Sequence, residues 1–252
     1  MPSFEFKRLN HFDNIEALSS QDENDYFPFH FHDLFCVSLI TRGSEVLKNT
    51  EMEFIIPAGS ISITQKDEVH RNYSLSERGY NYKTLYVNAD VLKHFNNGKE
   101  VKGLARVIDD PLLFQKLTAL IDEPIFSLTN WEESLRSLAT YAEPPAHNNH
   151  WSSIFYQIDE LIETYPDKVT NTDWLAKKFL MSKFHFIRKF KKAKGVTPQT
   201  YIMLYRLGNS KKMLLQQIPL KDIAFENGFY DASHFTNSFK RYFGINPSSY
   251  LD

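Results

Sequence analysis

Residues 220–252 read LKDIAFENGFYDASHFTNSFKRYFGINPSSYLD, and nearly every position has a structural job that chemistry can name. Pro219 and Leu220 open a short helix whose apolar positions Leu220, Ile223 and Ala224 recur at helical spacing, and Gly228 ends it with a left-handed turn. Asp231 suits the N-cap of a second helix over residues 232–243, with an inward stripe of Phe235, Phe239 and Tyr242, and Gly244 with Pro247 stops it. Two helices joined this way make a helix-turn-helix. On the outward face Ser233, Thr236, Asn237 and Lys240 form a polar ridge able to enter a DNA major groove, a pattern that an ordinary solvated helix shares.

A second copy separates those two readings. Upstream, Thr172 is expected as an N-cap, Leu175, Ala176 and Phe179 face inward, and Met181 falls in a turn. Ser182 then caps a helix to Lys194 that buries Phe186 and Phe190, with Gly195 and Pro198 ending it. Ser182, Phe186, Phe190, Gly195, Pro198 and Tyr201 recur 49 residues later as Asp231, Phe235, Phe239, Gly244, Pro247 and Tyr250. Leu175 and Ala176 recur 48 residues later as Ile223 and Ala224, so the second turn has gained a residue. Repetition of so many structural roles predicts two similar helix-turn-helix units. Residues 199–216 connect them as a helix of about 25 Å, which sets two reading helices near one DNA turn apart. The offset maps Phe184, Ile187, Arg188 and Lys191 onto Ser233, Thr236, Asn237 and Lys240.

The charge distribution agrees. The net charge of -2 divides into 15 Lys+Arg against 9 Asp+Glu over residues 150–252, and 14 against 22 over residues 1–149. An acidic part joined to a basic part is the pattern of a control domain tethered to a polyanion-binding domain. A chain of 252 residues, 42% hydrophobic, is long enough for two domains with proper cores. One cysteine, Cys36, excludes an internal disulfide. Neither a signal peptide nor a membrane span is legible, and the expected location is cytoplasmic.

Residues 1 to about 90 alternate strand-like runs with turns: 29–41, 53–56, 60–64 and 80–88. This predicts a mainly β barrel or sandwich, with His30, His32 and Cys36 on one face of a single strand. His30-x-His32, Cys36 and Gly43 resemble the first cupin motif in spacing, with Cys36 where a metal-binding glutamate usually stands; Gly59, Gln65 and His70 resemble the second. The resemblance implies a cupin-like barrel. In a metal-dependent cupin the ion would sit on residues matching His30, His32 and His70, but the carboxylate is missing here. The expectation is therefore a small-ligand pocket at His30, His32, Cys36 and His70, with Phe29, Phe31, Tyr73, Tyr82 and Tyr86 as aromatic walls, and no metal or other cofactor. Histidines that merely satisfy hydrogen bonds in the barrel are the structural alternative.

From residue 90 to 141 the periodicity turns helical. Leu112, Leu113, Leu117, Leu120 and Ile121 form one stripe, and Leu128, Trp131, Leu135, Leu138 and Ala139 another. Both are expected against the barrel, with a dimer surface in addition. Residues 143–150 (EPPAHNNH) read as a linker between a first domain, 1–142, and an all-α second domain, 151–252, that begins with a helix over 151–165.

Residues 151–252 resemble the DNA-binding domain of AraC-type (AraC/XylS) transcriptional regulators. The match is carried by Ile223-Ala224, Gly228-Phe229, Phe235, Phe239-Lys240, Phe243-Gly244, Pro247 and Tyr250, and in the first half by Leu175-Ala176, Met181-Ser182, Phe190-Lys191, Gly195, Pro198 and Arg206-Leu207. Gly208-Asn209-Ser210 departs from the pattern, because such connectors usually carry better helix formers. The resemblance implies a sequence-specific regulator of transcription that performs no reaction. Its partners would be double-stranded DNA, RNA polymerase, a small-molecule effector and a second copy of the chain. Phe184, Ile187, Arg188, Ser233, Thr236 and Asn237 are the expected base readers, and Lys183, Lys189, Lys191, Lys192, Lys240 and Arg241 the expected phosphate contacts. The rival readings are a metal-dependent cupin enzyme carrying a DNA-binding tail, and a regulator whose barrel only oligomerises.

Overall fold

A computed structural model describes residues 3–9, 15–24, 27–122, 127–144, 157–169 and 171–250. The chain forms two compact units that part near residue 146, with Pro28–His30 grouping with the second. The first is built on two antiparallel sheets. Its strands are β1 (Ser3–Leu9), β2 (Ile15–Glu23), β3 (Phe35–Arg42), β4 (Ser44–Asn49), β5 (Glu53–Pro57), β6 (Ile61–Thr64), β7 (His70–Tyr73), β8 (Tyr80–Val87) and β9 (Val107–Ile108). Six of them form a sheet in the order β1-β2-β8-β3-β6-β9, and β5-β4-β7 form a second.

The register of the larger sheet sorts its residues onto two unlike faces. Ala17, Leu85, Val37 and Ile63 stand side by side across β2, β8, β3 and β6. With Ile15, Phe35, Leu39, Ile61 and Val87 they are buried against three helices, α1 (Ala89–Phe95), α2 (Pro111–Asp122) and α3 (Leu128–Ala139). Leu113, Leu117, Leu120 and Ile121 of α2 and Trp131, Leu135, Leu138 and Ala139 of α3 join the same core. The helical stripes are thus buried against their own barrel, while Leu112 and Leu128, at 63% and 52% exposed, stay outside it. One residue along each strand, Leu18, Thr84, Ser38 and Ser62 form the neighbouring row, and by strand alternation they point the other way.

The expected strand over 29–41 begins only at Phe35. Residues 31–34 have no strand pairing, so His30 and His32 do not share a pleat with Cys36. Pro28 and the local bonds of the histidine segment explain the late start: the Pro28 carbonyl accepts from His30 Nδ1 at 2.8 Å, and the His32 carbonyl accepts from the Asp67 amide at 2.7 Å rather than from a neighbouring strand.

The second unit is helical: α4 (Gln157–Thr164), α5 (Pro166–Val169), α6 (Thr172–Lys178), α7 (Lys183–Lys194), α8 (Pro198–Leu215), α9 (Leu220–Glu226) and α10 (Ala232–Phe243), closed by a 3-10 turn at Ser248–Tyr250. Residues 151–156, where the first of these helices was expected to begin, and 145–150 of the expected linker lie outside the described residues. The N-cap of α6 is Asn171, not Thr172: the Asn171 side chain accepts from the amides of Asp173 and Trp174, and Thr172 is the first helical residue. Asn reaches both amides with one oxygen, which suits it to the cap. Among the described residues no helix is long and apolar enough to cross a membrane.

Candidate functional site

The two helix pairs are built alike down to single bonds. At the end of α6 the Met181 amide donates to the Ala176 carbonyl at 2.8 Å and Leu180 to Lys177 at 3.1 Å; at the end of α9 Phe229 donates to Ala224 at 2.9 Å and Gly228 to Phe225 at 3.0 Å. Each pair is the Schellman termination of a helix. The second helices end equally alike, at Gly195 with φ 78 and ψ -18 and at Gly244 with φ 77 and ψ -17. Phe186 and Phe190 have ring centroids 5.7 Å apart, as do Phe235 and Phe239. Tyr201 and Tyr250 pack edge-on against the last of each pair, at 5.5 and 6.0 Å. The caps differ. Asp231 accepts from the His234 amide at 2.7 Å, whereas Ser182 makes no side-chain cap bond.

With those phenylalanines buried, the opposite faces point to water. On α10, Ser233, Asn237, Lys240 and Arg241 are exposed and Thr236 half-buried. On α7, Arg188, Lys191 and Lys192 are exposed, and Ile187 and Lys189 half-buried. Phe184 is 78% exposed, so it does not pack on a neighbouring helix of its unit. An exposed phenylalanine beside this cationic row is a natural partner for thymine methyl groups. Lys183 is also exposed but pairs with Asp173 at 2.9 Å, which divides its charge between the protein and any phosphate. Lys194 turns back onto Tyr201, 4.9 Å from its ring centre, and leaves the row.

The first unit holds a buried polar layer. The side of the large sheet that carries Thr84 also carries Ser20, Ser38, Ser62, Tyr82 and Cys36, all buried. Ser38 and Thr84 share a hydroxyl bond of 2.7 Å, and Ser20 donates to Glu23 at 3.2 Å. Glu45 of β4 reaches into the same layer and accepts from Asn72 at 2.7 Å. Burial raises its pKa, opposed by the Ser62, Asn72 and Tyr80 side chains. Its second oxygen, Oε2, is buried without a hydrogen-bond partner among the described residues. Tyr80 and Tyr82 stack at 5.2 Å, and burial raises both phenol pKa values. An interior of hydroxyls and carboxyls is unusual for a core that needs only to hold a fold.

His32 and His70 come together within the first unit. The turn between β6 and β7 makes this possible: Asp67 at φ 60 bonds back to the His32 carbonyl, and His70 opens β7. Glu68 in that turn is held by Arg106, 2.8 Å from its Oε1, and by Asn49 at 2.8 Å. His32 lies 5.4 Å from the His70 ring and 5.5 Å from that of Tyr86. Burial, reinforced by the Arg106 charge, lowers the His70 pKa to about 4. Of the four expected pocket residues, the first unit thus brings His32 and His70 together, while His30 groups with the second unit. Cys36 is buried within its strand.

Sequence reasoning missed Glu23, Glu45, Ser38, Ser62 and Thr84. The signal was present as small polar residues at alternate positions, Ser60, Ser62 and Thr64 in one run and Cys36 and Ser38 in another. Reading alternation for hydrophobicity alone passes over a face that is buried and polar.

Residues 14–137 match the model of an AraC-like ligand binding domain, and residues 175–252 that of a helix-turn-helix domain. The HTH-type transcriptional regulator YbfI of Bacillus subtilis is 30% identical over 238 residues, spanning 88% of this chain and 86% of the relative. The chain belongs to the AraC-type transcriptional regulators. The transcriptional activator RhaS of Escherichia coli O139:H28 is 35% identical over 88 residues, 34% of this chain and 31% of its own. In fold, this AraC-type chain is similar to ToxT of Vibrio cholerae O395, with a TM-score of 0.56 at 17% identity over 99% of this chain and 97% of that one. A second ToxT structure, with an unsaturated fatty acid bound, has a TM-score of 0.55 at 16% identity, covering 99% of this chain and 95% of that one. The cupin-like barrel followed by a helix-turn-helix region is therefore the architecture of an AraC-type regulator.

Proposed function

We propose that this regulator reads DNA with two helices, α7 and α10, and that a small polar molecule held in the buried layer between its two sheets controls that reading. Phe184, Ile187, Arg188, Ser233, Thr236 and Asn237 meet base edges. Lys183, Lys189, Lys191, Lys192, Lys240 and Arg241 meet phosphates, which position the unit without reading sequence. Arg188 pairs with a guanine edge, and Phe184 and Ile187 meet thymine methyls. The protein acts in the cytoplasm as a homodimer, catalyses no reaction, and works through RNA polymerase.

The observation that carries the effector reading is Glu45, a buried acid with one oxygen left over for a donor. A ligand bearing hydroxyl or amino groups satisfies that oxygen and the hydroxyls around it. A fatty acid of the kind named for ToxT would set a carboxylate against Glu45 and an apolar tail against serines and threonines, so the effector class differs. The test has two arms. Mapping the genomic sites that the protein occupies should return a recurring two-part sequence whose halves lie about one helical turn apart. A thermal-shift screen of polar metabolites should find a ligand that stabilises the native chain and loses its effect in Glu45→Gln. Occupancy without sequence preference would remove the first claim, and a ligand equally effective on Glu45→Gln the second.

A further inference from the structure

We propose that the molecule held between the two sheets is an organic cation, an aliphatic amine whose ammonium group is taken up by Glu23 and Glu45. This rests on the effector reading above and narrows it to one charge class.

Each sheet contributes one acid: Glu45 comes from β4 of the small sheet and Glu23 from the end of β2 in the large one. Strand alternation by itself would send Glu23 away from the polar layer, because it stands three residues after Ser20. A bulge corrects this. From Ser20 to Glu23 β2 takes three steps, while β8 takes two from Tyr82 to Tyr80, so Glu23 returns to the face that carries Ser20. Asp22 makes the bulge in the left-handed region, at φ 54, and its amide donates to the Asn81 side chain at 2.9 Å. Ser20 then reaches across the bulge to Glu23 at 3.2 Å. Glu23 ends with no exposed surface. Turning an acid inward in this way costs desolvation, which a fold serving stability alone avoids.

The surroundings of the two acids are of one sign. Burial raises the pKa values of Tyr80 and Tyr82, and the charges of Glu23 and Glu45 raise both further. The side chains bonded to Glu45 are those of Ser62, Asn72 and Tyr80, all of them neutral, and its buried Oε2 has no donor among the described residues. A carboxyl group in such a place holds on to its proton, and a proton is a small cation that a larger one displaces. An ammonium group brings three donors and a full charge. It satisfies Glu45 Oε2 and reaches Glu23, while its methylene groups lie along Tyr80 and Tyr82, whose rings stack at 5.2 Å and whose faces attract cations. A neutral polyol supplies donors without charge and leaves both acids holding their protons.

The test is calorimetric titration of the full-length chain with amines from ethylamine to hexylamine and the matching diamines, beside the alcohols and diols of equal length. Amines should bind saturably and release protons, so that the heat follows the ionisation enthalpy of the buffer; the alcohols should do neither. Glu45→Gln and Glu23→Gln should each weaken amine binding by about 10- to 100-fold, the scale of losing one charge-assisted hydrogen bond. Glu77→Gln, which removes an exposed acid outside the layer, should bind as the native chain does. Unfolding midpoints identify any variant that fails to fold, and the comparison of amines with alcohols on the native chain needs no variant. Amines that do not bind the native chain, or that bind a folded Glu45→Gln protein equally well, overturn the cation. Alcohols that bind and lose affinity in Glu45→Gln would leave the effector reading standing with a neutral ligand; if neither class depends on Glu45, that reading falls as well.

Discussion

Leu180 and Gly228 occupy the same left-handed position in the two helix-turn-helix units, with φ of 54 and 69. Each donates the inner of the two bonds that close its helix. One carries a side chain that is 96% exposed; the other carries none, and the Arg206 guanidinium lies where its Cβ would be, 2.6 Å from Nη1. The two units share a backbone but divide its cost unequally, because a leucine in this conformation costs about 1–2 kcal/mol that a glycine does not.

Leu180→Gly should therefore raise the stability of the second unit by about 0.5–1 kcal/mol, since relief of strain outweighs the added freedom of the unfolded chain and no buried contact is lost. Gly228→Ala should lower it by more than about 1 kcal/mol, because it adds strain and displaces Arg206. Urea unfolding of the two variants beside the native chain measures both. A destabilised Leu180→Gly would mean that the leucine holds a contact of its own.

Removing helix caps should separate Asn171 and Asp231 from Ser182. Asn171→Ala and Asp231→Ala each delete an observed side-chain bond to helix amides and should cost about 1 kcal/mol. Ser182→Ala deletes none and should cost a few tenths at most. Midpoints of thermal unfolding, converted with the measured enthalpy, give the ranking.

On DNA, Arg188→Ala should lose about 1–3 kcal/mol at the cognate site and relax base preference, while Lys192→Ala should weaken cognate and scrambled duplexes alike and reduce the salt dependence by about one counterion. Fluorescence anisotropy across a salt series distinguishes them. Equal losses on both duplexes for Arg188→Ala would move that residue from bases to phosphates.

Acid should destabilise the protein through His70. Its folded pKa, about 4, lies below the ordinary value of 6.5, so between those limits the unfolded chain takes up a proton that the folded chain refuses. Stability falls as the pH drops through this window and levels off below it, by up to about 3 kcal/mol in all. Glu45 acts with the opposite sign: its raised pKa leaves its contribution intact below 4.5 and erodes it as the pH rises above that. Urea unfolding at pH 7 and pH 4.5 should show a smaller loss in His70→Gln than in the native chain.

Gly208 lies inside the connecting helix α8, and a Cβ built there meets nothing within 4 Å. Gly208→Ala should then stabilise the chain by up to about 1 kcal/mol, the ordinary helix penalty of glycine. If operators with a changed spacing between half-sites lose affinity for this variant but not for the native chain, the glycine serves as a joint.

The second unit was legible almost to the residue because its information is local. Caps, stop glycines and a 3.6-residue stripe all act within a few positions, and a repeat supplied each of them twice. The error at Thr172 is of that same local kind, a choice between two adjacent residues that both cap well. Gly208-Asn209-Ser210 are poor helix formers in the expected connector, and α8 runs through them, with Ser210 buried and its hydroxyl bonded to the Leu207 carbonyl at 2.6 Å. In the first unit the decisive relationships are long-range. Nothing in the run from 29 to 41 says that His32 will be fastened to Asp67, or that Glu45 will meet Asn72, because those contacts depend on which strands pair. The approach of His32 to His70 was foreseeable from motif spacing, although the single strand expected to carry His30, His32 and Cys36 begins only at Phe35.

The large sheet is one residue thick. Thr84 points into the polar layer and Leu85, the next residue, into the helix-packed core; the same holds for Ser38 and Val37, and for Ser62 and Ile63. A molecule that presses on one side of this wall has only a peptide bond between itself and the seats of α2 and α3. Close-packed apolar contacts do not absorb a shift as a liquid would; they pass it on. In mechanical terms the sheet is a diaphragm: a ligand lodged against its polar side would bear, through that single layer, on the apolar side that seats the helices.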